Sequence, residues 1–423
     1  MFHPTRSSKF FLRLALAVIV TTGIGLSLAG NSLAAPSPGW DGEHIISVVP
    51  SGNGWEPAVA ADPSAPYVYV GWMQYVGNKT LIRIATSSDG GATFGPAQSV
   101  CPACNTGTAQ YDIVLATSAN GVLFATYMQS YKISFTKSDD HAATWTPAIT
   151  VSGKSWSDKP WIGVSLSGND IYIAYVSHGN VFVVASHNGG ASFSAPVQLT
   201  NEKGIYYYPN GAAVLNNGTA VVVASEYPQS GTKVNGPVPI VAFRTSNGGS
   251  SWTRTVVDTL NTGASYETSS VTTVTSDGTN LLLAYSGSLT TGANGKIFVR
   301  RSTDSGATWS ARTEMTTSAG GADATSVAAA GKAGLFVITW MDNRIGAWNV
   351  WERESTDGGI TWSADTKVSD ASSGAAYKTA AGFGLPYGDY DMVAINSSGK
   401  PVAAMGEGDS TQTNGDIWVN RKQ

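Results

Sequence analysis

The 423-residue sequence predicts an all-β fold, a β-propeller of seven four-stranded antiparallel blades, on three observations. One short phrase, Ser-x-Asp-x-Gly-x-Thr-Trp, recurs six times, and its closing aromatics Phe94, Trp145, Phe193, Trp252, Trp309 and Trp362 stand roughly fifty residues apart. Seven apolar runs, each preceded and followed by another strand-like run, have the same spacing. Charged residues make up only 13% of the chain against roughly 25% in an average soluble protein, while Gly (48 residues) and Trp (13) are abundant, a composition of turns and β-prone residues.

In chain order, the first residues read as an address. Arg6, Lys9 and Arg13 accompany an apolar stretch from Leu14 to Leu28, and Ser32-Leu33-Ala34 supplies a small-residue cleavage signal. Residues 1–34 are therefore expected to be a signal peptide for bacterial export, leaving 35–423 as one secreted domain with no further membrane association. The alternative, a retained anchor, needs a longer span than this stretch offers.

His44 to Val49 (HIISVV) is a strand with no partner of its own near the mature N-terminus. The seven apolar runs follow: Tyr67 to Trp72, Val122 to Tyr127, Ile171 to Tyr175, Ala220 to Ser225, Leu281 to Tyr285, Leu335 to Trp340 and Pro401 to Met405. The last third strand, Ile417 to Asn420, ends almost at Gln423, with no room for a fourth. Pairing it with His44 to Val49 closes a seventh blade from both termini; six blades is the alternative.

The repeated phrase reads as a hairpin turn. Asp accepts hydrogen bonds from backbone N–H groups further on, Gly takes the left-handed position, and the aromatic covers the hairpin base. Ser302–Trp309, Ser355–Trp362 and Ser87–Phe94 are the clearest copies; Ser138–Trp145 has Ala142 in place of Gly, and Ser186–Phe193 and Thr245–Trp252 have Asn188 and Asn247 in place of Asp. On these residues the chain resembles the Asp-box, or bacterial neuraminidase repeat, superfamily of sialidase-like β-propellers. The resemblance implies boxes between the third and fourth strands of each blade, on the face away from the active site.

In a meander of this connectivity, the loop into each inner strand and the loop between the second and third strands share the opposite face, where function is expected. Glu56, Asp112, Asp158 and Glu267 fall at inner-strand entries; Glu226, Asp342 and Arg344 fall in the second-to-third loops. Carboxylates and aromatics together suit a sugar, whose C–H faces stack on rings while its hydroxyls need polar partners. Asp342, Glu267, Asp158 and Glu226 are the catalytic candidates, and Arg344, Tyr266, Trp348, Glu56 and Tyr390 the substrate-binding ones. Asp342 and Arg344 have two readings: they contact a ligand together, or they pair with each other and pin their loop.

The resemblance to sialidases implies three arginines on the substrate carboxylate, the first in a Phe/Tyr-Arg-Ile-Pro phrase near the start. The matching stretch here is Trp55-Glu56-Pro57-Ala58, without arginine. A carboxylate clamp needs the guanidinium fork, so sialidase activity is not expected. A carbohydrate-active enzyme of another specificity, a noncatalytic glycan-binding propeller and a protein-interaction scaffold are the readings left open. The expected partner is a glycan or glycoconjugate, acting on a monomer. The net charge of −4 offers no basic stripe for nucleic acid. No cofactor is implied: Ca²⁺ could be held by mouth oxygens, but no motif specifies a site. Cys101 and Cys104, the two cysteines, are expected to form a small disulfide loop in an exported protein, a redox role being the weaker reading.

Overall fold

The computed structural model describes residues 35–47, 54–102, 109–153, 156–230, 233–234, 236–262, 272–346, 348–370, 378–379, 382–383, 391–407 and 416–423. Within them, seven antiparallel meanders form a seven-bladed propeller with almost no helix; Thr317–Ala319 is a short 3-10 turn. The inner strands of blades 1 to 7 are Gly54–Ala61, Gln110–Thr117, Ser157–Val164, Ile205–Val214, Thr272–Ser276, Ala324–Lys332 and Met392–Ile395. The expected export signal, residues 1–34, lies outside the described residues.

The apolar runs of the sequence are the second strands, such as Ile171–Ser177 and Leu281–Gly287, in which every residue is buried. A strand with a blade packed on each face needs apolar side chains on both, so it reads as a continuous run rather than an alternation. The core is accordingly divided among the blade interfaces. Tyr69, Ile84, Leu115 and Tyr127 fill the gap between blades 1 and 2; Leu282, Val299, Phe336 and Trp340 fill that between blades 5 and 6.

The ring closes as the termini predict. His44–Ile45 lies antiparallel to Asp416–Arg421, with His44 opposite Val419 and Ile45 opposite Trp418, and becomes the outer strand of blade 7. The Ile46 N–H extends the ladder to the Ile417 carbonyl at 2.9 Å. Trp40, 1% exposed, packs with Met405 and Val350 beneath this seam. Asp370 holds the incoming segment by accepting the Ser37 N–H at 2.7 Å and the Glu43 N–H at 2.6 Å. The six-blade alternative is excluded.

All six repeated phrases form the same turn. In the first, the Asp89 carboxylate accepts the N–H groups of Ala92 and Thr93 at 3.0 and 2.9 Å and the Thr93 hydroxyl at 2.6 Å, while the Ser87 Oγ donates to Asp89 at 2.7 Å and accepts the Gly91 N–H at 2.9 Å. The asparagine copies keep this geometry by reversing one bond. Asn188 and Asn247 donate their Nδ2 hydrogens to Ser192 and Ser251 at 2.8 Å, where the aspartates accept from a threonine. In the second copy Ala142 takes the left-handed conformation expected of Gly, at φ 69°. Cys101 is disulfide-bonded; Cys104 lies outside the described residues.

Candidate functional site

The inner strands of blades 1, 2, 3 and 6 begin with the same irregularity. Their register shifts between Trp55 and Ala58, Tyr111 and Val114, Asp158 and Trp161, and Thr325 and Ala328. Inside each bulge one residue is left-handed: Glu56 (φ 54°), Asp112 (φ 54°), Lys159 (φ 50°) and Ser326 (φ 53°). A non-glycine residue there costs about 1–2 kcal/mol, and Glu56 and Lys159 also precede proline, which restricts them further. Bulges re-aim side chains. Here they bring the equivalent residues of three consecutive blades to one point at the end of the axis opposite the repeated turns.

At that point the Lys159 ammonium donates to Asp112 Oδ1 at 2.8 Å and lies 3.5 Å from Glu56 Oε1. Asp158, next in sequence, accepts the Lys159 backbone N–H at 2.9 Å and shares a hydrogen bond with the Asp112 carboxyl. Two carboxyls in such contact cannot both ionise easily. Burial first, and then the Asp112 charge, raise the Asp158 pKa to about 6 against the opposing pull of Lys159. Tyr206, on the inner strand of blade 4, stands in the same field, its hydroxyl pushed up to about 12 by burial first and then by Asp158. The cluster is thus a pair of interacting carboxyls, a lysine that compensates them, a second carboxylate across that lysine, and a phenol.

Two further candidates from the sequence form a separate network. Asp342 is fully buried and accepts the Trp340 Nε1–H at 2.8 Å, the Arg344 backbone N–H at 3.1 Å and the Arg344 Nε–H at 2.9 Å. The same guanidinium pairs with Asp365, which also pairs with Arg353, and stacks 4.0 Å from the Trp351 ring centre. Asp365 precedes the outer strand Thr366–Lys367, so Arg344 turns toward the rim of blade 6. Pairing within the loop, the second reading offered by the sequence, describes this arrangement. Trp348 packs as a partly buried residue beside Met341 and Val350.

Glu226 pairs with Arg254 of the blade 4 outer strand Thr253–Leu260, again toward the rim. Tyr266, Glu267 and Tyr390 lie outside the described residues. Of the candidates, the structure brings together Glu56 and Asp158. Lys159, Asp112 and Tyr206 join them without having been selected. The available signal was positional: Glu56 in Trp-Glu-Pro-Ala, Asp112 in Tyr-Asp-Ile-Val and Lys159 in Asp-Lys-Pro-Trp hold one equivalent place in three repeats. Among the described residues no group of three or more His, Cys, Asp or Glu is arranged to hold a metal ion.

No protein-family model matches the chain, and no curated protein sequence is similar to it. Solved structures are similar in fold. An ulvan lyase, described as a new family of polysaccharide lyase, superposes with a TM-score of 0.55 at 12% identity over 89% of this chain and 95% of the other. The same kind of lyase bound to -[GlcA(1-4)Rha3S]- gives 0.54 at 12% identity over 92% and 94%. A Hadza microbial sialidase gives 0.45 at 12% identity over 88% of this chain and 66% of its own length.

Proposed function

We propose that this chain is a secreted, glycan-acting propeller enzyme whose chemistry is centred on Asp158 and Asp112 at the axis mouth. The observation that carries the reading is the hydrogen-bonded carboxyl dyad, compensated by Lys159 and built on strained bulges from neighbouring blades. A carboxyl with a pKa near 6 holds a proton at mildly acidic pH and releases it easily, which is what a general acid at a glycosidic oxygen needs. Strain at equivalent positions of several blades is a common mark of a site where geometry serves chemistry.

Each residue has a definite role in this reading. Asp158 protonates the departing sugar oxygen. The Asp112 carboxyl beside it keeps the Asp158 pKa up. Lys159 holds the Asp112 charge in place, and Glu56, on the other side of the ammonium, is the carboxylate assigned as base. The Asp112 carboxyl raises the Asp158 pKa both by its charge and by a side-chain hydrogen bond. The two carboxyls therefore work as one unit. The Asp-box resemblance and the lyase neighbours, one of them bound to a polysaccharide fragment, support a glycan as substrate.

The test is incubation of the mature protein with a panel of polysaccharides, reading new reducing ends for cleavage and ultraviolet absorbance for an unsaturated lyase product. Cleavage lost in Asp158→Asn and reduced in Asp112→Asn, with the fold intact, supports the reading. Binding without cleavage, unchanged in both variants, would instead describe a lectin-like propeller.

A further inference from the structure

The mouth also displays two aromatic side chains that the core does not use. Tyr131 and Trp156 are 47% and 62% exposed, with ring centres 4.7 Å apart and planes inclined at 36°. Tyr131 sits between the second and third strands of blade 2, Leu123–Gln129 and Lys132–Ser138; Trp156 directly precedes the blade 3 inner strand, two positions before Asp158. The Ser157 N–H donates to the Tyr131 carbonyl at 3.0 Å, tying the two loops together.

Both residues are left-handed, at φ 59° and 62°, as is Ser130 at 50°. Ser130 and Tyr131 are the two central residues of the hairpin in which Gln129 pairs with Lys132, and such a two-residue turn takes both at positive φ. The turn presents the Tyr131 ring beside Trp156, and solvent-facing rings on two loops tied by a hydrogen bond are suited to a ligand with an apolar face.

We propose that Tyr131 and Trp156 form a stacking subsite for a neutral sugar unit of the glycan chain that passes Asp158. The inference rests on the glycan reading above and specifies its substrate. The adjoining cluster sets three carboxyls around one ammonium, so a uronic acid or sialic acid at this point would meet like charge. A neutral pyranose offers its C–H face to the rings and its hydroxyls to the carboxyls.

The experiment is a binding titration of wild type, Trp156→Ala, Trp156→Phe, Tyr131→Ser and Asp158→Asn against immobilised neutral and uronic-acid oligosaccharides, with cleavage measured in parallel. Trp156→Ala should weaken binding of a neutral oligosaccharide about tenfold, the scale of an aromatic contact, and Trp156→Phe should retain most of it. Tyr131→Ser should weaken it too, and the melting temperatures of the Trp156 and Tyr131 variants should stay at the wild-type value because both rings are exposed. A neutral glycan bound or cleaved equally well by wild type and Trp156→Ala, but not by Asp158→Asn, overturns the subsite and leaves the enzyme reading standing. Binding only of uronic-acid glycans overturns it as well. Wild-type sedimentation with phosphatidylcholine vesicles, lost in Trp156→Ala, would assign the rings to a membrane surface and also overturn it. No glycan bound or cleaved by any form overturns both readings together.

Discussion

Replacing Arg344 by alanine separates structural support from ligand contact in blade 6. The guanidinium lies against Trp351 and meets Asp342, which is fully buried, and Asp365. Removing it leaves the Asp342 charge inside the protein, with the Trp340 indole at 2.8 Å among its few remaining donors. Breaking a buried ion pair from one side costs about 3–5 kcal/mol. The Arg344 side chain keeps 11% of its exposure, and water entering from that side places the cost near the lower end, about 3 kcal/mol. At an unfolding entropy of about 2.1 cal/mol/K per residue over residues 35–423, the melting temperature should fall by about 4 °C. Calorimetry on Arg344→Ala, Arg344→Lys and the Asp342→Asn/Arg344→Ala double variant checks this. Lysine should recover only part of the loss, because it cannot fork or stack. The double variant should also recover part, since the buried charge is gone. A melting temperature within about 1 °C of wild type, together with lost glycan binding per folded molecule, would refute this reasoning and make Arg344 a ligand contact.

Three other outcomes follow from the ring and its turns. Burial first, and then the Asp370 carboxylate, raise the Glu43 pKa to about 8 from an ordinary 4.5; the stability that docking of this segment contributes is full below about pH 4.5 and lost as pH rises through about 8. Thermal melts at pH 5 and 9 should show a fall in wild type that is reduced in Glu43→Gln. Trp40→Ala empties the space beneath the seam of blade 7 and should cost about 3–5 kcal/mol, read by denaturant unfolding, with faster hydrogen exchange confined first to residues 35–47 and 416–421. The Thr308 hydroxyl and then its N–H hold the Asp304 carboxyl down to about 2, so this turn's contribution is present above pH 3.8 and lost as pH falls toward 2; acid titration of Asp304→Asn should lose stability less steeply across that window.

The fold was legible because its signals are local and repeated. Each turn phrase contains its own hydrogen-bond partners within eight residues, so the sequence alone specifies the hairpin, and even Asn188 and Asn247 keep it by pairing with serine. Ring closure was legible because His44 to Val49 was a strand without a neighbour and Ile417 to Asn420 a hairpin without an end. The site was legible only by face. Glu56 and Asp158 fall at inner-strand entries by sequence, yet nothing in either phrase says that Lys159 reaches across two blades to Asp112 and Glu56, because that convergence depends on three bulges set by the ring. Arg344 falls by sequence in a second-to-third loop beside Asp342. The residue that claims it, Asp365, lies 21 positions further along and carries no sequence mark of the pairing.

The central claim, that the Asp112–Asp158 dyad supplies the proton, is tested most directly by the pH dependence of kcat/KM on a glycan the protein cleaves. Wild type should lose activity as pH rises through about 6, the value to which burial and Asp112 lift Asp158. Asp112→Asn removes the like charge and should move that limb to lower pH; Lys159→Met removes the opposing charge and should move it higher. Opposite displacements in the two variants are the predicted result. A limb at the wild-type pH in both would contradict the account.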